Sequence, residues 1–188
     1  MASRALSAEF EWLYSLRFFA AAIALWAFRR TYQGLDWSLD WTAPSAGVLV
    51  FVIWIGLDHS VRGSMPPQLA IAPAAVTFGW LTLRVLAAVV TVPIAEELAF
   101  RGFLLRRFIS SDFDAVSLRR FSWLALLASS LIFGLLHGKQ WISGSLAGAI
   151  YALTVIRRGR LGNAVVAHAT TNALLAIDVL VFHHWELW

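Results

Sequence analysis

The chain contains no cysteine in its 188 residues. That excludes disulfides, a thiol nucleophile and a thiolate-bound metal. Charge is also scarce: 14% of the residues are Asp, Glu, Lys or Arg, against about a quarter in an ordinary soluble domain. No hydrophilic stretch is long enough for a separate soluble domain. Lysine is almost missing, with Lys139 the sole example, so arginine carries the net charge of +4. The arginines lie between apolar runs rather than in a nucleic-acid-binding module, and no nucleic-acid partner is expected.

What the chain has instead is apolar surface. Its residues are 60% hydrophobic, with a mean hydropathy of +0.71, the composition of an integral membrane protein. Several of the ten tryptophans, among them Trp37, Trp41, Trp123, Trp141, Trp185 and Trp188, fall near the ends of apolar runs, as in the aromatic belts of a bilayer interface. Crossing the hydrocarbon core takes about 20 apolar residues. Six stretches qualify as candidates: 12–28, 43–57, 74–95, 121–137, 141–156 and 163–182. The second is short. The third can run on to about Phe108 with a bend at Pro93. An open sheet cannot satisfy its backbone in lipid, so the expected fold is an all-α, polytopic transmembrane bundle of about six spans. The first run follows Glu9 and Glu11 rather than a basic segment, so it reads as a span and not as a signal peptide.

Arginine placement orients these spans. Arg29 and Arg30, then Arg106, Arg107, Arg119 and Arg120, then Arg157, Arg158 and Arg160 occupy three connections on one side of a six-span topology. The opposite loops carry Arg62 and Lys139, and the N-terminal tail Arg4. The positive-inside rule places the arginine-rich loops in the cytoplasm and both termini outside. The resulting expectation is a multi-pass protein of a bacterial inner (plasma) membrane, with membrane lipid as a partner.

Small residues gather in SGSLAGA, residues 143–149, where Gly144 and Gly148 form a G-x-x-x-G pair. Close helix packing explains the pattern. The competing reading, Ser145 as the nucleophile of a rhomboid-like protease, lacks that family's G-x-S-G.

Three polar clusters interrupt the apolar runs. AEELAFRG contains Glu96, Glu97 and Arg101; SLIFGLLHG contains Phe133 and His137; VAHATTNAL contains His168 and Asn172. Glu97 and Arg101 stand four apart with the acid first, the favourable order for a helical ion pair. Glu96 lies about 100° away around the same helix. Phe133 and His137 share one helix face, and His168 and Asn172 share another. An ordinary packing role accounts for a lone histidine in water, and Glu96 and Glu97 sharing Arg101 as a helix-packing lock is the competing reading of the first cluster. Inside a membrane polar side chains are costly, and function is the default reading. A carboxylate in a low-dielectric pocket is pushed toward the range of a general base. An imidazole beside it helps hold a water, and a second imidazole with an amide can donate to an oxyanion. Together these groups suit attack of water on an amide carbonyl.

E-E-x-x-x-R, F-x-x-x-H and H-x-x-x-N, in this order on successive apolar segments, resemble the type II CAAX prenyl endopeptidase and bacteriocin-processing (CPBP, or Abi) family of intramembrane proteases. The resemblance covers about residues 74–182, a four-helix catalytic core. Residues 1–73 would then be a tail with two accessory helices, and 183–188 a C-terminal tail. The stretch GVLVFVIWIGLD, 47–58, also resembles an exosortase-associated bacterial subgroup. The resemblance implies an endopeptidase acting on a peptide or protein substrate near the membrane. Glu96 would activate water with His137. His168 and Asn172 would form the oxyanion site, and Glu97, Arg101 and Phe133 would support them. No cofactor is expected. A zinc protease using Glu96, His137 and His168 as a His₂Glu ligand set is the alternative. A non-enzymatic immunity or scaffold protein and a proton-coupled transporter are further rivals. Upright helices put His168 roughly 8 Å and His137 roughly 24 Å from the cytoplasmic interface, so bringing them together needs tilted or broken helices.

Overall fold

A computed structural model describes residues 14–58 and 63–188 of the chain. The charged residues Arg4, Glu9 and Glu11, the start of the first expected span and Arg62 lie outside them. Among the described residues the secondary structure is entirely helical. Six principal helices occupy the six expected stretches: α1 (Tyr14–Ala27), α2 (Thr42–Leu57), α3 (Ala74–Arg107), α4 (Trp123–Leu135), α5 (Trp141–Arg158) and α6 (Leu161–Phe182). Of these, α3 with 34 residues and α6 with 22 are long and apolar enough to cross a membrane.

Local chemistry sets the boundaries. Ser122 caps α4 by accepting a hydrogen bond from the Ala125 N–H. Gly159 ends α5 at φ +71°, a left-handed conformation that glycine adopts without a Cβ penalty. Arg157 and Arg158 in the preceding turn complement the negative end of the helix dipole.

The third helix runs on to Arg107, close to the expected end at about Phe108. It continues through Pro93, and two π-helical turns, Ala87–Thr91 and Leu98–Leu104, bracket the α-helical turn Val92–Glu97. Proline lacks an N–H, and its ring crowds the carbonyl four residues earlier. A wide π turn just upstream makes room for the ring and leaves a carbonyl to be satisfied elsewhere. The side-chain amide of Asn172 donates to the Ala88 carbonyl at 2.7 Å.

The buried face of α4 carries small and polar residues beside Leu126 and Phe133. On α4 the buried positions include Ala125, Ser129, Ser130 and Gly134, while Leu124 is 69% exposed and Leu127 61%. Small and polar residues inward with large apolar residues outward is the pattern of helices that associate in lipid. Gly148 packs against Ser130, where a Cβ would come within 3.0 Å of the Ser130 Cα. Gly144 packs against Gly134 and the His137 ring, so the G-x-x-x-G pair brings α4 and α5 close together. The Ser145 hydroxyl donates to the Trp141 carbonyl of its own helix at 2.8 Å.

The three arginine-bearing connections meet at one end of the bundle. Arg119 donates to the Arg157 and Arg158 carbonyls. Asp40 receives Arg158 at 3.1 Å, and Asp36 faces Arg160 at 3.7 Å. Hydrogen bonds from Ser38 hold the Asp36 carboxyl below the usual carboxylate range. Thr42 does the same for Asp40, against an opposing desolvation. The Leu161 N–H at the start of α6 donates to the Asp36 carbonyl. These contacts seat α2 beside α6, and Gly47 lets the two approach until a Cβ would meet the Ala167 carbonyl at 2.4 Å.

Candidate active site

The short α-helical turn between the two π turns presents the adjacent glutamates to different surroundings. Glu97 is 0% exposed. Its Oε1 accepts from Arg101 Nη1 at 3.0 Å and from His168 Nδ1 at 2.9 Å. Arg101 is also buried and donates to the Gly148 carbonyl at 2.7 Å. Its guanidinium lies over the Phe133 ring, 4.6 Å from the centroid. Every group in this cluster has a partner except Glu97 Oε2.

Glu96 points the other way, into a cavity. The space open to the centre of a water molecule there is about 30 Å³, and Glu96, His137, His168 and Asn172 all line it. That volume holds one or two waters. Glu96 Oε2 has no hydrogen-bond partner and stands 3.9 Å from His168 Nε2.

Geometry also assigns the protons on the two imidazoles. His137 Nδ1 is 2.8 Å from the Phe133 carbonyl. A carbonyl only accepts, so Nδ1 carries the proton and Nε2 of the neutral ring is an acceptor. His168 Nδ1 faces a carboxylate oxygen, so it too is the donor, and Nε2 faces the cavity. Carboxylate partners of this kind orient an imidazole and fix its tautomer. On the neutral ring, His137 Nε2 can accept a hydrogen bond from a ligand in the cavity it lines. One N–H of Asn172 is committed to Ala88, which leaves the second for a ligand.

The depth difference between the histidines is spanned by aromatic rings. His137 packs on Phe133 at 4.9 Å between centroids, and Phe133 meets the His168 ring edge-on at 5.8 Å. His137 lies just past the end of α4, and both histidines line the same cavity.

The model for the family "Type II CAAX prenyl endopeptidase Rce1-like" matches residues 77–174. The chain belongs to this family. It is a family of membrane-embedded proteases. No curated protein and no solved structure matches the chain. Glu96, Glu97, Arg101, Phe133, His137, His168 and Asn172 all fall inside the stretch that matches the CAAX endopeptidase family.

Sequence reasoning missed three apolar or aromatic residues at the site, Tyr151, Trp54 and Leu187, and the hydroxyl of Thr171. Tyr151 is buried and stacks on His168 at 5.0 Å with 16° between the ring planes. Its hydroxyl donates to Thr171 Oγ1 at 2.7 Å. Thr171 in turn reaches the Gly47 carbonyl of α2 at 2.9 Å. Trp54 of α2 meets the His137 ring edge-on at 5.3 Å, and Leu187 closes the same cavity. Trp54 and Leu187 lie outside the family match. All three read as ordinary apolar or aromatic residues in sequence, and only the i, i+7 step from Gly144 to Tyr151 hinted that Tyr151 shares the face turned to α4.

Among the described residues, no three His, Asp or Glu side chains are grouped closely enough to share a metal ion. The zinc set of Glu96, His137 and His168 lines one cavity, with the His168–Glu97 hydrogen bond supplying the orientation a ligand imidazole needs.

Proposed function

We propose that the chain is a multi-pass intramembrane endopeptidase of a bacterial inner membrane that hydrolyses a peptide bond of a membrane-associated or lipid-modified substrate. The observation that carries this reading is the convergence of Glu96, His137, His168 and Asn172 on one water-sized cavity. Glu96 takes a proton from the water it shares with His137 Nε2, and the water oxygen attacks the carbonyl carbon. The tetrahedral oxyanion is received by the free N–H of Asn172 and by His168 Nε2. That role requires His168 to carry protons on both nitrogens, with Nδ1–H held by Glu97. Glu96 then returns its proton to the leaving amine. Glu97 and Arg101 position His168 and do not touch substrate.

The proposed hydrolysis uses no metal. Two measurements test the reading. The Glu96→Ala protein, reconstituted in liposomes, should trap substrate proteins that mass spectrometry identifies and that the wild type cleaves. Elemental analysis of active protein should find zinc well below stoichiometric. Stoichiometric zinc, with activity lost to chelation and restored by zinc, would make Glu96, His137 and His168 ligands. Failure to cleave any trapped protein, with Glu96→Gln behaving as wild type in every respect, would favour an immunity or scaffold role.

A further inference from the structure

We propose that residues 183–188 form a lid over the catalytic cavity and that this lid must move aside before a peptide reaches Glu96. The inference rests on reading the cavity as a peptidase site. The cavity admits water but no peptide, so some part of its wall has to be displaced. Its lining residues lie within the long helices α2–α6, with two exceptions, His137 and Leu187. His137 is pinned by the Phe133 carbonyl and by the close approach of Gly144. Leu187 sits on a single 3₁₀ turn, Trp185–Leu187, beyond the point where α6 stops at His183 with φ +63°.

Polar contacts reach this turn from α6, Gly63 and α3. His184 Nδ1 and Asp178 Oδ2 are 2.5 Å apart. The Gly63 N–H donates to Glu186 Oε2. The Trp188 ring lies 5.5 Å from the Arg84 guanidinium. The remaining attachment is apolar: Trp185 and Leu187 are buried in the main core cluster. A displaced segment carrying two tryptophans is well accepted at a bilayer interface, so the lid has a place to go.

The absence of native cysteine makes two tests clean, both on the full chain. The first needs no enzyme activity. Leu175 lines the cavity, and a Leu175→Cys protein reports access through its rate of modification by a small water-soluble methanethiosulfonate. Adding His184→Ala and Glu186→Ala removes two lid tethers and should speed labelling about tenfold. An unchanged rate would overturn the lid. The second test locks it. A Cβ at position 63 lies 3.6 Å from the Trp185 Cβ, within the range of about 3.5–4.5 Å that a disulfide spans. The Gly63→Cys, Trp185→Cys protein should lose peptide hydrolysis when oxidised and regain it on reduction. Each single variant should be insensitive to oxidant. Equal activity in both redox states, with the crosslink demonstrated by mass, would overturn the proposal. If the wild type hydrolyses no peptide, the peptidase reading fails, while the labelling rates still decide whether the lid controls access.

Discussion

Glu96 and Glu97 are neighbours in sequence and opposites in environment. Glu97 is sealed from solvent and holds an arginine and a histidine on one oxygen. Glu96 lines a water-sized cavity with an oxygen that nothing else satisfies. The 100° between successive helical residues is enough to separate a carboxylate that fixes a site from one that is free to react in it. A buried charge is tolerable when paired and bonded; an unsatisfied polar atom in a native structure asks for an explanation. Two such oxygens lie here, Glu96 Oε2 and Glu97 Oε2; only Glu96 lines the cavity, where the proposed substrate water would satisfy it.

This contrast can be broken from either side. The largest effect on the fold should come from Arg101→Leu, which leaves Glu97 buried without its cation. Removing one member of a buried pair costs about 3–5 kcal/mol, so the variant should unfold at much lower temperature or fail to accumulate in the membrane. On the open side, His137→Ala should reduce hydrolysis by roughly 10²–10⁴-fold with little change in melting temperature, the range for loss of a positioned acid–base group. Unchanged activity in that variant would remove His137 from the water site.

Tyr151 sharpens the comparison because it lines the cavity and stacks on His168. Tyr151→Phe keeps the stack and loses the Thr171 hydrogen bond, worth about 1 kcal/mol in stability. It should leave the turnover pH profile in place. Tyr151→Leu removes the stack and should lower kcat more than it raises KM. A profile identical in all three proteins, with equal kcat, would make Tyr151 a packing residue only. A smaller effect belongs to the arginine-rich end. The folded-state pKa of Asp36 and of Asp40 is depressed, so their contribution to stability is complete above the unfolded carboxylate value of about 3.9 and is lost as pH falls through the lower folded value. Thermal melts from pH 7 to pH 3 should show less acid destabilisation in Asp40→Asn. Ser145→Ala should change nothing measurable in hydrolysis, since that hydroxyl is bonded within its own helix.

The helices were legible because apolar run length in a membrane is nearly a direct readout of the element. The motif residues were legible because charge inside such a run has few innocent explanations. The π turns around Glu96 and Glu97 left no trace in residue type, since hydrogen-bond register is a backbone property; Pro93 marked the place, and a π turn precedes it. The Glu97–His168 contact joins residues 71 apart, and helical spacing offered Glu97 only Arg101. Trp54 and Leu187 carry no chemical signal of their own. Read as accessory helix and tail, α2 and the last six residues nonetheless supply walls of the cavity, because helix packing is decided in three dimensions by contacts such as Gly47 on Ala167.

The division of labour between the two glutamates is tested most directly by measuring hydrolysis and thermal unfolding on Glu96→Gln and Glu97→Gln side by side. Glu96→Gln should lose hydrolysis by roughly 10²–10⁴-fold and melt within a degree or two of wild type. Glu97→Gln should lose stability, with its residual activity showing an altered pH profile because His168 has lost a carboxylate partner. A stable, inactive Glu97→Gln beside an active Glu96→Gln would contradict the account.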